Sequence, residues 1–193
     1  MSLAALDAEM RTCYQTAGQD MLQHGEAVAA QFEVLMAYLE GAAPLPSHWR
    51  LPTWLDTATG KLLLAKLPDR ETLALYHRYH DCGKPRCRTV DAEGRQHFPD
   101  HARLSREVWL ENGGSSEVAD LIGMDMDLHL LKAEGVSEFA RRPQAAALLL
   151  TGLAEIHANA AMFGGTDSTS FKIKLKHIER RGKSITQLIK ELA

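Results

Sequence analysis

Apolar residues recur at three- and four-residue spacing through most of this chain, and strictly alternating runs are scarce. Over residues 20–40, Met21, His24, Val28, Phe32, Leu35 and Leu39 fall on one helical stripe, and the Gly/Pro-rich loop at 41–46 ends it. A second helix is predicted over 69–81, with Leu73, Tyr76, His77 and His80 on one side and Gly83 and Pro85 closing it. Residues 88–98 read as a turn centred on Asp91 to Gly94, able to form a small hairpin. Further helices are expected over 101–111, 116–132 and 143–162. The last is apolar nearly all round between 145 and 150, which places it centrally. Residues 170–192 predict a basic helix, although 171–176 also alternates like a strand. The expected fold class is all-α, one helical bundle spanning residues 1–193.

Bulk properties narrow the function classes. The length suits one domain with a sizeable core, and 45% hydrophobic with 24% charged residues is ordinary for a globular protein. A net charge of -3 argues against a general cationic coat while leaving room for a local basic groove. Cys13, Cys82 and Cys87 lack zinc-knuckle spacing and read as free thiols of a reducing compartment. The first fifteen residues are too polar for a secretory signal, and no run approaches membrane-spanning length. The expectation is a cytoplasmic protein with no membrane partner.

Candidate chemistry lies where metal-capable residues meet apolar stripes. His80 and Asp81 are adjacent at a helix end, and imidazole with carboxylate suits first-row transition metals better than magnesium or calcium. His24 shares a stripe with Met21, Val28 and Phe32. His101 shares one with Leu104 and Val108. Asp125 and His129, four apart, align with Val118, Leu121 and Ile122, whereas Asp127 does not. Glu155 sits inside the most apolar helix. A buried carboxylate needs a cation or hydrogen-bond partners, and helices each pointing one such group inward are how a bundle builds a metal site. Any one of these residues alone also fits a hydrogen-bonded core position, and Glu155 fits an ion pair with arginine. His48, His77, His157 and His177 read as structural or surface residues, and His97 is left open.

The segment from His80 to Ala102, HDCGKPRCRTVDAEGRQHFPDHA, preceded by His24 and followed by a late acidic residue, resembles the HD-domain metal-dependent phosphohydrolase superfamily. In particular it resembles the HD domain attached to bacterial tRNA nucleotidyltransferases. More weakly, the chain resembles the HD modules of bacterial RNA end-healing enzymes, which remove 2′,3′-cyclic or terminal phosphates. The resemblance implies an all-α bundle with His24, His80 and Asp81 as metal ligands. It implies His101, with Asp125 or His129, for a second metal or for the scissile phosphate. Two departures stand out: the family's late aspartate aligns with Glu155, and acidic residues occupy 123–129 where relatives carry histidines. No P-loop is present, so kinase chemistry is not expected.

Together these readings predict a phosphohydrolase acting on nucleotide or RNA 3′-end phosphates, with one or two divalent transition ions (Mn, Co, Ni, Zn or Fe). Such ions polarise a phosphoryl group and generate hydroxide at neutral pH. His24, His80, Asp81 and Glu155 would hold one ion, and His101 with Asp125 a second. Lys84 is expected on a non-bridging phosphate oxygen, with Arg86, Arg88 and His129 as further substrate contacts. Alternatives from other classes are a hydrolase of free (deoxy)nucleotides, a di-iron oxygenase on the same scaffold, and a non-catalytic binding module. The basic segment 172–183 reads either as a source of phosphate contacts or as a solvated helix face.

Overall fold

Short polar side chains set where several helices begin. Asp56, Asp69, Ser115 and Ser168 each have extended backbone and accept a hydrogen bond from the N–H three residues on, satisfying donors that a helix's first turn leaves open. The structure is a computed structural model and describes residues 3–16 and 18–192. Its helices are α1 (Leu3–Met10), α2 (Met21–Leu39), α3 (Thr57–Leu64), α4 (Arg70–Tyr79), α5 (Lys84–Cys87), α6 (His101–Glu111), α7 (Ser116–Gly123), α8 (Asp127–Leu130), α9 (Val136–Ala140), α10 (Ala145–Ala158) and α11 (Thr169–Glu191). Two antiparallel hairpins complete it: β1 (Tyr14–Thr16) with β2 (Gln19–Asp20), and β3 (Thr89–Val90) with β4 (Gln96–His97). The chain is thus mostly helical, as its apolar spacing predicts. Among the described residues no helix is long and apolar enough to cross a membrane.

The chain forms two compact units, each assembled from two separate stretches. The first comprises Met1–Ala29 and Asp69–Met126, the second Ala30–Pro68 and Asp127–Ala193. In the first unit α7 packs on α4 and α6, and α5 packs on α6 and α1. Two glycines permit close backbone-to-backbone approaches in it. A Cβ on Gly25 would lie 2.3 Å from the Arg78 carbonyl oxygen, and one on Gly83 would lie 2.4 Å from the Ser105 nitrogen. Both neighbours are backbone and cannot swing aside. Gly25 therefore lets α2 pass against α4, and Gly83 seats the start of α5 on α6, where the Ser105 hydroxyl accepts from the Gly83 N–H at 2.9 Å.

In the second unit α10 packs against α3, α8 and α11. Nearly every residue of α10 is buried, which explains why it is apolar all round. His157 at its C-terminal end is held as a neutral ring. Nδ1–H donates to the Leu153 carbonyl at 2.8 Å, and Nε2 accepts from the Arg50 N–H at 3.1 Å. Trp49 stacks on the ring at 3.8 Å. Burial pushes the imidazole down to about 4.

Two expected helices change, and the alternating run in the last helix resolves to the helix expected there. The helix predicted over 116–132 is broken: α7 stops at Gly123, a tight turn carries Asp125, and α8 begins at Asp127. The break coincides with the passage from the first unit to the second, so Asp125 and His129 do not share a helix. Residues 171–176 are helical, because the Ser168 cap starts α11 and Phe171 and Ile178 are buried two turns apart. The helix predicted over 143–162 ends at Ala158 and tightens into a 3₁₀ turn at Ala160–Phe163. The small hairpin at 88–98 forms as predicted, with the Asp91 carboxylate accepting from the N–H groups of Glu93 and Arg95.

Two predictions follow from packing. Gly25→Ala should destabilise the protein by about 3 kcal/mol, the upper part of the overpacking range, whereas Gly18→Ala, with no atom within 4 Å of the added carbon, should be near neutral. Thermal unfolding of both variants checks this, and equal midpoints would refute the close-approach argument. The second prediction concerns pH. With a native value of about 4 against an ordinary 6.5, His157 resists protonation only when folded. Its contribution is therefore complete above pH 6.5 and is lost as pH falls towards 4, to the extent of roughly 2–3 kcal/mol. Denaturant titrations should show a smaller loss over that window in His157→Phe than in the parent.

Candidate metal centre

Four elements of the first unit deliver the polar cluster. The N-terminal turns of α2 present His24, the C-terminal end of α4 presents His80 and Asp81, α5 begins with Lys84, and α6 begins with His101. His24, His80 and Asp81 are 0–3% exposed, and each offers one ligand atom within 4.8 Å of the other two. Asp81 Oδ2 lies 3.3 Å from His80 Nε2, 3.7 Å from His24 Nε2 and 2.6 Å from Lys84 Nζ. Its other oxygen, Oδ1, faces His101 Nε2 at 3.8 Å, beyond hydrogen-bond reach, and accepts no hydrogen bond. The His24 and His80 rings meet edge to face at 5.2 Å.

Ring orientation is set by the backbone. His80 Nδ1 lies 2.8 Å from the His77 carbonyl and His101 Nδ1 lies 3.0 Å from the Phe98 carbonyl. A carbonyl only accepts, so each Nδ1 carries a proton and each ring turns its Nε2 towards Asp81. This is how a ligating histidine is ordinarily fixed by its surroundings. The donor set of two or three imidazoles with a carboxylate thus fits a first-row transition ion.

Electrostatics agree with an ionised carboxylate. Burial works to raise the Asp81 carboxyl, but Lys84, His80 and His24 together outweigh it and hold it well below the usual carboxylate range. Neighbouring groups show the cost of charge in this region. Burial, with His80 beside it, pushes the His77 imidazole down to about 3, and burial with Asp81 nearby pushes the Cys82 thiol up to about 12. Both are neutral at ordinary pH.

Other predicted site residues are placed as follows. Asp125 is buried in the first unit, and its Oδ1 accepts from the Tyr76 hydroxyl at 2.6 Å. Lys84 is buried, donating to Asp81 Oδ2 and, at 3.2 Å, to Gln15 Oε1, with the Phe98 ring 5.2 Å from its ammonium. Arg86 is committed to carboxylates, with a two-point contact to Glu9 and a further bond to Glu111. Arg88 is exposed at the start of the β3–β4 hairpin. Glu155 and His129 belong to the second unit and bond to each other at 2.7 Å, Nε2 to Oε2. His97 is an exposed partner of Asp91 at 2.7 Å.

Sequence reasoning did not single out Gln15, Ser105 or the Tyr76 hydroxyl. Tyr76 was visible on the apolar stripe of α4, and its hydroxyl, needing a partner once buried, was the available signal. Gln15 and Ser105 carry no local signal.

Comparison with profiles of known protein families, with curated proteins and with solved structures gives no match.

The Lys84–Asp81 pair generates a prediction. Lys84→Met removes one partner of a buried ion pair and should cost about 3–5 kcal/mol in chelator-treated protein. Added manganese, cobalt, nickel or zinc should raise the variant's thermal midpoint more than the parent's, because a bound cation offsets the Asp81 charge that the ammonium no longer meets. Equal shifts in the two proteins would sink this assignment.

Proposed function

We propose that the chain is a divalent-metal-dependent phosphohydrolase acting on nucleotide or RNA-end phosphates, including 2′,3′-cyclic phosphodiesters. The observation that carries this reading is the buried convergence of His24, His80 and Asp81, with Lys84 on one carboxylate oxygen and His101 facing the other. The resemblance of the His80 to Ala102 segment to HD-domain phosphohydrolases supports it.

His24, His80 and Asp81 would hold one ion. Because the two Asp81 oxygens face different imidazoles, His101 is the natural contributor to a second. A transition ion bound there would polarise a phosphoryl oxygen and lower the pKa of water. The protein's own groups do the rest. Lys84 keeps Asp81 ionised and places a fixed positive charge beside the reacting region. His101, with a side chain 17% exposed, lies on the more open side of the cluster. Its Nδ1 is anchored to the Phe98 carbonyl, so Nε2 is the atom it would offer, to a second ion or, where only one ion is bound, to exchange a proton with an ester oxygen. Arg88 adds an exposed positive charge to draw phosphate in, a role Arg86 is not available for while it bridges Glu9 and Glu111. Tyr76 holds Asp125 in place, and Asp125 would take part through that bond or as a further ligand. His129 and Glu155, bonded to each other, are not assigned to this chemistry.

The test is a phosphoesterase screen of metal-loaded protein on 2′,3′-cyclic nucleotides, 3′- and 2′-monophosphates, 5′-nucleotides and deoxynucleoside triphosphates. Hydrolysis of at least one class is expected. His80→Ala and Asp81→Ala should lose both metal and turnover. His101→Ala should lower kcat by about 10²–10⁴, the range for a proton-transfer group, while keeping the ion bound to His24, His80 and Asp81. Metal-loaded protein that turns over no phosphate ester would falsify the reading.

A further inference from the structure

The second unit carries a concentration of positive charge that the proposed chemistry does not use. Helix α11 holds seven Lys and Arg residues against two Glu, in a chain whose overall charge is -3. Lys172, Lys176, Arg180 and Lys183 fall within a sector of about 80° at 3.6 residues per turn, extending about 17 Å along the axis. All four are exposed. None forms an ion pair among the described residues, whereas Arg50, Arg78, Arg86, Arg103, Arg106 and Arg142 all do. The carboxylate nearest the stripe in sequence, Glu179, is turned to the loop before α3, where it accepts from both the Thr53 N–H and the Thr53 hydroxyl.

A solvated helix face ordinarily mixes the two signs. This one is of a single sign and not neutralised, with successive Cβ atoms about 5–6 Å apart. From this stripe we infer that α11 binds the phosphodiester backbone of a single nucleic-acid strand. A membrane surface is the competing anion, and burial argues against it. The apolar face that would insert is already occupied, with Phe171, Ile178, Ile185 and Ile189 at 0–3% exposure. Trp54 sits so close to Gly182 that an added Cβ would meet its indole at 2.3 Å. Ile173 is the one large apolar side chain of the helix left exposed, too little for interfacial anchoring. The stripe reads no bases, so binding is sequence-independent and salt-sensitive.

The probe is a fluorescein-labelled twelve-residue oligothymidylate, measured by anisotropy with chelator present. It has no terminal phosphate to cleave, so failure here is separable from failure of the hydrolase reading. Four phosphate contacts predict a slope of log affinity against log salt of about -3 for a single strand. The triple variant K176Q/R180Q/K183Q should bind about tenfold or more weakly at low salt, with a slope reduced to about -1. Its thermal midpoint should match the parent's, since all three side chains are exposed. Three outcomes overturn the inference: no binding by the parent at low salt, unchanged affinity in the triple variant, or phosphatidylserine vesicles bound in preference to the oligonucleotide.

Discussion

A carboxylate taken out of water must be met by positive charge, and Asp81 is the group on which the first unit's polar architecture depends. It is 1% exposed, yet its surroundings hold it ionised. Isolated, such a charge would cost several kcal/mol after relaxation. Lys84 supplies the nearest compensation at 2.6 Å, three residues along, as the chain turns from α4 into α5. The imidazoles of His24, His80 and His101 surround the same carboxylate. The elements that pack in this unit are therefore also those that deliver these side chains.

Bringing four elements to one carboxylate requires backbones to approach more closely than side chains allow. Gly25 follows His24 immediately, and Gly83 stands between Asp81 and His101 in the chain and against α6 in space. Each glycine is a packing requirement for a cluster residue close to it in the chain. His24 reaches Asp81 because α2 can lie on the carbonyls of His77 and Arg78, and the His77 carbonyl also orients the His80 ring. Packing and ring orientation share the same backbone atoms, so displacing one disturbs the other.

Much of this was legible in the sequence. The helical class and the hairpin at 88–98 follow from apolar spacing and turn residues, and the grouping of His24, His80 and Asp81 is what the family resemblance implies. What misled was continuity of pattern across a change of unit. Val118, Leu121 and Ile122 remain in phase with Asp125 and His129, and periodicity alone could not register that the chain leaves one core for another at Met126. The pairing of Glu155 with His129 was hidden for the same reason: an acidic residue on an apolar helix announces that it needs a partner, not which one. Lys84 stood out as a candidate from its place after His80-Asp81. Its engagement of Asp81 depends on the turn between α4 and α5, which spacing does not specify.

Histidines held by the same backbone anchor meet different partners in this molecule. His80, His101 and His157 use one device, donating Nδ1–H to a carbonyl three or four residues earlier. Each ring is then left with Nε2 for a further partner. At His157 that nitrogen meets a backbone N–H from Arg50, the hydrogen bond closes, and Trp49 covers the ring. At His80 and His101 the same atom faces the Asp81 carboxylate, which is itself an acceptor. Lys84 is placed on Oδ2, whereas Oδ1 accepts no hydrogen bond. Imidazole nitrogens turned on one buried carboxylate are a donor set that a cation could share, and this is the physical ground for reading the cluster as a candidate metal centre.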